Sequence, residues 1–121
     1  MPGKLAKEIN PRDVKKVDMV VCIPSYNEAD SISYPATQAD KGLLKYFSDK
    51  SSVIINCDND SPDNTKEAFL ETATDIPKIY VSTPAGVKGK GNNFRNLFQK
   101  IVDLNAEAVV VVDADLKSIT P

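Results

Sequence analysis

Ala108-Val109-Val110-Val111-Val112 runs directly into Asp113-Ala114-Asp115. Five consecutive apolar residues, four of them β-branched, do not alternate as a half-exposed strand would, and they suit a strand covered on both faces, as in a parallel sheet. Three earlier runs share this texture. Val17-Asp18-Met19-Val20-Val21-Cys22-Ile23 is stopped by Pro24, Val53-Ile54-Ile55-Asn56-Cys57 by the polar cluster 58–64, and Ile79-Tyr80-Val81 by Ser82-Thr83-Pro84. Helix-like segments lie between them. Pro35 suits a first helical turn, with Ala36, Ala39, Leu43, Leu44 and Phe47 on one face. Pro62 and Asp63 open a second helix containing Thr65–Thr72, with Ala68 and Phe69 apolar. A third, about Asn92–Leu104, spaces Phe94, Leu97, Phe98, Ile101 and Val102 helically. Strand–helix alternation of this kind predicts right-handed βαβ units, and hence an α/β fold: a Rossmann-like three-layer α/β/α sandwich with a mainly parallel sheet.

The bulk properties agree with one such domain. The chain has 121 residues, 41% hydrophobic and 26% charged, within the range of ordinary globular domains. Residues 1–17 read as a polar lead-in with some helical potential around Lys4–Ile9, and 18–121 as the domain proper. Fifteen basic against seventeen acidic residues give a net charge of −2, so no overall charge recruits nucleic acid or an anionic membrane. No apolar run approaches the ~20 residues of a membrane-spanning helix. Two cysteines make no disulfide framework, which favours a reducing, cytoplasmic setting; Cys22 and Cys57 read as small buried hydrophobes. There is no histidine, which excludes Ser-His-Asp and Cys-His catalysis within this chain.

In an open parallel sheet, ligands bind beyond the carboxyl ends of the strands. The four loops there, 24–30, 58–64, 82–91 and 113–118, are rich in polar residues or glycine. Asp113 and Asp115 are two carboxylates one residue apart. Hard cations such as Mg²⁺ or Mn²⁺ take such oxygen ligands, and would neutralise a diphosphate there; aspartates at a strand end serve equally as turn starters. In Pro24-Ser25-Tyr26-Asn27-Glu28, proline ends the strand, Tyr26 offers a flat face to a base, and Asn27 and Glu28 offer acceptors. Asn27 or Ser31 could instead cap the following helix. Asp58 could accept from a nucleobase edge, while Ser61-Pro62-Asp63 reads as cap, first helical residue and acidic first turn. Gly86-Val87-Lys88-Gly89-Lys90-Gly91 makes either a phosphate cradle ahead of a helix or a lysine-bearing turn, and it meets neither the P-loop nor the dinucleotide pattern.

Taken together, these segments resemble the N-terminal, nucleotide-binding half of a GT-A-fold glycosyltransferase of family-2 type, nearest the mannosylglycerate synthase and glucosyl-3-phosphoglycerate synthase branch. Val20–Glu28 resembles the opening strand and nucleotide loop, and Asp58-Asn59-Asp60-Ser61-Pro62-Asp63-Asn64-Thr65 the motif usually written DDGSxDxT. Lys88–Asn92 resembles the GKG segment, and Val112–Ser118 the metal motif. The resemblance implies a nucleoside diphosphate sugar donor, UDP- or GDP-linked, and a small hydroxyl acceptor. It places Pro24, Ser25, Tyr26, Asn27 and Glu28 around the nucleoside, and Asp58 or Asn59 at the base. Lys90 would meet donor phosphate. Asp113 and Ala114 would lie beside the donor, with Asp115 on the metal directly and Asp113 on the ribose or on the metal through water. Asn59 and Asp60 stand where the family often has Asp and Gly. The family's acceptor-binding part, catalytic base and third metal ligand would follow the metal motif, so the expectation is a fragment without transferase activity of its own. Two alternatives compete. A nucleotidyltransferase that makes nucleotide sugars normally has a glycine-rich first loop, and Pro24–Glu28 has no glycine. A non-catalytic module would self-associate through an open sheet edge after the fourth strand.

Overall fold

The structure, a computed structural model, describes residues 7–26, 28–58, 63–82, 95 and 99–112. In chain order it contains β1 (Lys7–Ile9), β2 (Met19–Ser25), α1 (Ser33–Tyr46), β3 (Ser52–Asp58), α2 (Thr65–Glu71), β4 (Lys78–Ser82) and β5 (Ala108–Val111). Residues 95 and 99–104 are also helical. The strands form one sheet in the order β1-β4-β3-β2-β5. β2 runs parallel to β3 and β5, β4 runs parallel to β3, and β1 alone pairs antiparallel. The expected α/β architecture with a mostly parallel sheet is therefore present.

Successive side chains of a strand point to opposite faces, and the core divides accordingly. Val20, Cys22, Val53, Ile55, Cys57, Ile79 and Val81 pack on one face with Leu104, against which Ile101 is half-buried. Val21, Ile23, Ile54 and Tyr80 pack on the other with Ala36 and Leu43 of α1 and Phe69 of α2. All seven residues of β3 are buried, as its apolar run predicts for a central strand. Cys22 and Cys57 are buried inside the first cluster and form no disulfide, and burial pushes the Cys22 thiol up to about 12.

Several expectations are corrected at the periphery. Lys7–Ile9 is a strand, not part of a helix. It pairs Lys7↔Ser82 through Ile9↔Tyr80 along β4, occupying an edge whose backbone groups would otherwise be open. Lys100 in the helical stretch 99–104 secures it, reaching both carboxylate oxygens of Glu8 at 2.9 and 3.0 Å. In α1 the buried stripe is Ala36, Asp40 and Leu43, whereas Leu44 and Phe47 are exposed. Phe47 sits just past the last helical turn, where its N–H caps Leu43 O at 3.0 Å, so its ring leaves the helical face. Val102 is 70% exposed because Ile101 and Leu104 form the inward pair of their turn. Val109, Val110 and Val111 are exposed in part because β5 borders only β2 among the described strands. Phe94 and Phe98 lie outside the described residues.

Two polar side chains complete the second layer. Asp40 is buried on α1, where Oδ1 accepts the N–H groups of Asp75 and Ile76 at 3.0 and 2.9 Å and fixes the approach to β4. Lys78 Nζ donates to Phe69 O at 2.9 Å, Leu70 O at 2.8 Å and Thr72 O, adding a donor to carbonyls at the end of α2, where Phe69 O also accepts the Thr72 N–H at 3.3 Å. Burial first, and then the Arg12 guanidinium, pull the Lys78 pKa below its ordinary value, opposed by Asp40.

Candidate functional site

The strand order fixes where ligand chemistry can converge. Counted among the parallel strands in chain order, β4-β3-β2-β5 reads third, second, first, fourth. Chain direction across the sheet therefore reverses between β2 and β5, the position at which open α/β sheets bind ligands beyond their carboxyl ends. Pro24 acts locally at this point. Val112 N–H donates to Cys22 O at 2.8 Å, so the backbone groups of Cys22 face β5, and by alternation those of residue 24 face β5 as well. Proline has no N–H to give there, and the last described β2–β5 pair is Cys22↔Val111. Toward β3 the ladder continues through Pro24↔Cys57 to Ser25↔Asp58. Proline thus does not end the strand, as the sequence suggested; it is tolerated on the one side where its missing donor costs nothing to the β2–β3 ladder.

Two rungs of polar side chains cross the carboxyl edge on the α1/α2 face. Ile23, Asn56 and Tyr80 stand in register, followed by Ser25, Asp58 and Ser82. Asn56, Asp58, Tyr80, Ser25 and Ser82 are all buried, Asp58 to 1% exposure. Asp58 is held by two hydroxyls: Ser25 Oγ donates to Oδ1 at 2.8 Å and Tyr80 Oη donates to Oδ2 at 2.8 Å. Asn56 Nδ2 donates to Ser25 Oγ and to Ile23 O, both at 2.8 Å. Burying a carboxylate is tolerable only with such donors. Asn56 Oδ1 has no hydrogen-bond partner among the described residues, a condition that costs roughly 1–3 kcal/mol.

The loops after β2 and β3 are tied together. Glu28 N–H donates to Thr65 Oγ1 at 3.0 Å and Ala29 N–H to Asp63 Oδ2 at 3.2 Å. Asp63 Oδ1 accepts the N–H of Thr65 at 3.0 Å and its hydroxyl proton. Glu28 O in turn accepts from Ser31 and Ile32 at 3.0 and 2.9 Å, closing a turn just before α1. The N-cap of α1 is Ile32, with no side-chain cap, so Ser31 does not serve as one. At α2 the helix begins at Thr65 and Asp63 supplies the acceptor; Ser61 and Pro62, expected to cap and open it, lie outside the described residues.

Partial burial raises the Asp63 pKa, but the bonds from Thr65 and Ala29 outweigh it and leave the carboxyl below its ordinary 3.8. A depressed carboxyl contributes stability that is present above the unfolded value and is lost as pH falls through the folded one. Asp63→Ala is therefore expected to lower stability by about 1 kcal/mol at neutral pH, with the deficit against wild type closing as melts are repeated below pH 3.8. A deficit independent of pH would show that the charge plays no part.

Of the site residues read from sequence, Ser25 and Asp58 meet directly, Pro24 and Glu28 are half-buried, and Tyr26 is 53% exposed. Asn27, Asn59, Lys90, Asp113, Ala114 and Asp115 lie outside the described residues. Asn56 and Tyr80, unnoticed in the sequence, complete the buried cluster. Their signal was present: each is a polar group inside an apolar strand run, one or two residues from the carboxyl end. Asp63 and Thr65 were visible as part of a motif, though not as the fastening between two loops. Among the described residues no group of three His, Cys, Asp or Glu side chains could hold a metal ion. No described helix is long and apolar enough to cross a membrane. Comparison with protein-family models finds none that matches this chain, and comparison with curated proteins finds no match either.

Proposed function

We propose that the chain binds a nucleoside diphosphate sugar at the carboxyl edge of its sheet, as the donor-binding part of a GT-A-type glycosyltransferase with a three-layer α/β/α arrangement. The observation that carries this reading is the reversal of strand order between β2 and β5, which sets the carboxyl ends of these two parallel strands side by side. The buried Asp58, held by hydroxyl donors, suits a base edge that presents N–H groups, as uracil and guanine do. Tyr26 supplies an exposed ring for stacking, Asn27, Glu28 and Asn59 further polar contacts, and Lys90 a charge for the diphosphate. Asp113 and Asp115 are a donor set of carboxylate oxygens, the kind Mg²⁺ or Mn²⁺ prefers. A cation bound there would stabilise the departing diphosphate. The reaction proposed for the whole enzyme is displacement of that diphosphate from the anomeric carbon by an acceptor hydroxyl; the chain's own part is to bind and orient the donor. Two buried cysteines that form no disulfide suit the cytoplasm as its location.

Isothermal titration with UDP- and GDP-sugars, with and without Mn²⁺, tests this reading. Wild type is expected to bind one of them in a metal-dependent manner, and Asp115→Ala to weaken that binding at least tenfold. Equal affinity in the two proteins would remove the metal role, and no binding by wild type would remove the function.

A further inference from the structure

The direction of the hydrogen bonds around Asp58 assigns work to two residues behind it. Ser25 has one hydroxyl proton. Because Asn56 Nδ2 already donates to Ser25 Oγ at 2.8 Å, that proton is left to point at Asp58 Oδ1, also 2.8 Å away. Asn56 is itself oriented by its second amide proton on Ile23 O, and it keeps this orientation although Oδ1 has no partner among the described residues in a side chain of 0% exposure. An amide chosen for packing alone would gain more from an apolar replacement, since an orphaned buried acceptor is a net cost. On the far side, Tyr80 Oη reaches the other oxygen of the same carboxylate from β4. Three adjacent strands thus converge on one group, and donors arrive at both of its oxygens.

We propose that Asn56 and Tyr80 are positioning residues for nucleoside recognition: through Ser25 and directly, they hold the Asp58 carboxylate in one rotamer, so that it meets the base as a fixed acceptor. This rests on the donor-binding reading above and deepens it, since it separates base recognition, built on the β2–β3–β4 edge, from phosphate recognition, which uses other loops. Neither residue touches the ligand, and their effect passes through Asp58.

The test uses the full chain and whichever of UDP and GDP binds more tightly, with its monophosphate, and pyrophosphate with Mn²⁺ as the base-free probe. Tyr80→Phe removes one oxygen from a buried ring and is expected to stay folded. Asn56→Asp, of the same shape, turns the donor to Ser25 into an acceptor and draws the hydroxyl proton away from Asp58. Each variant is expected to bind the diphosphate and the monophosphate about tenfold more weakly, by the same factor for both, and pyrophosphate unchanged. A structural defect would move all three probes together. Wild-type affinity for the nucleotides in folded Tyr80→Phe would overturn the proposal, as would an equal loss for pyrophosphate. Absence of nucleotide binding by wild type is a separate failure, of the donor-binding reading on which this one stands. Should Asn56→Asp not fold, Ser25→Ala provides the second arm with the same expected pattern.

Discussion

Phe69→Ala should lower the stability of the chain by about 3–5 kcal/mol, measured as a fall in the urea midpoint with little change in slope. Phe69 has 0% exposure and heads the fully buried side chains by volume among the described residues. It is the principal anchor of α2, which spans only seven residues and is far too short to hold together without tertiary packing. Its ring packs in the cluster with Ile54, Tyr80 and Ala36, and the Lys78 ammonium stands 5.6 Å from the ring centroid. Truncation would therefore do more than open a cavity. It would loosen the helix that starts at Thr65, and with it the Glu28–Thr65 and Ala29–Asp63 bonds that hold the first loop. Since a domain's whole stability is commonly about 5–15 kcal/mol, a substantial unfolded fraction is expected at 37 °C. Phe69→Leu, which keeps most of the volume, should cost less than half as much. A loss below 1 kcal/mol for the alanine variant would mean that α2 is not docked as described.

Asp58→Ala is expected to have the second largest effect, on stability and binding together. Removing the carboxylate strands the hydroxyls of Ser25 and Tyr80, both buried. Each orphaned donor costs roughly 1–3 kcal/mol, so a loss of about 2–5 kcal/mol is expected in chemical denaturation. The shared partner makes the effects non-additive. Adding Tyr80→Phe to Asp58→Ala should recover part of the loss, because one orphan is then deleted. Strict additivity of the two substitutions would show that the Tyr80–Asp58 bond contributes nothing. Whatever fraction of Asp58→Ala remains folded should bind no UDP or GDP at concentrations that saturate wild type.

The parts of the fold that could be read from sequence are those where one physical factor dominates. β3 carries the apolar residues Val53, Ile54, Ile55 and Cys57 because it lies in the middle of the sheet with both faces covered, and that run reads plainly as a strand. β5 carries a wholly apolar run yet stands last in the order of the described strands, with three valines partly exposed; composition reports what a strand can bury, not how much of it is covered. β1 escaped for the opposite reason. Its three residues have no apolar pattern, and their conformation is set by hydrogen bonds to β4, seventy residues away. The site shows the same division. Asp58 stood out by its place after a strand, but its partnership with Ser25, Asn56 and Tyr80 depends on register between strands, and no single segment records register. Likewise nothing in the sequence of α1 singles out Asp40, and only the fold brings the loop at 75–76 to its carboxylate.

Lys78 does for the end of α2 what a bound ion does in many loops. Its ammonium gathers three backbone carbonyls around one positive charge, but that charge is covalently attached and cannot diffuse away. The order of the segment from Phe69 to Thr72 should accordingly be indifferent to chelators and to dilution, whereas cyanate or an acetylating reagent, by neutralising the amine, would do the damage that EDTA does to a calcium loop.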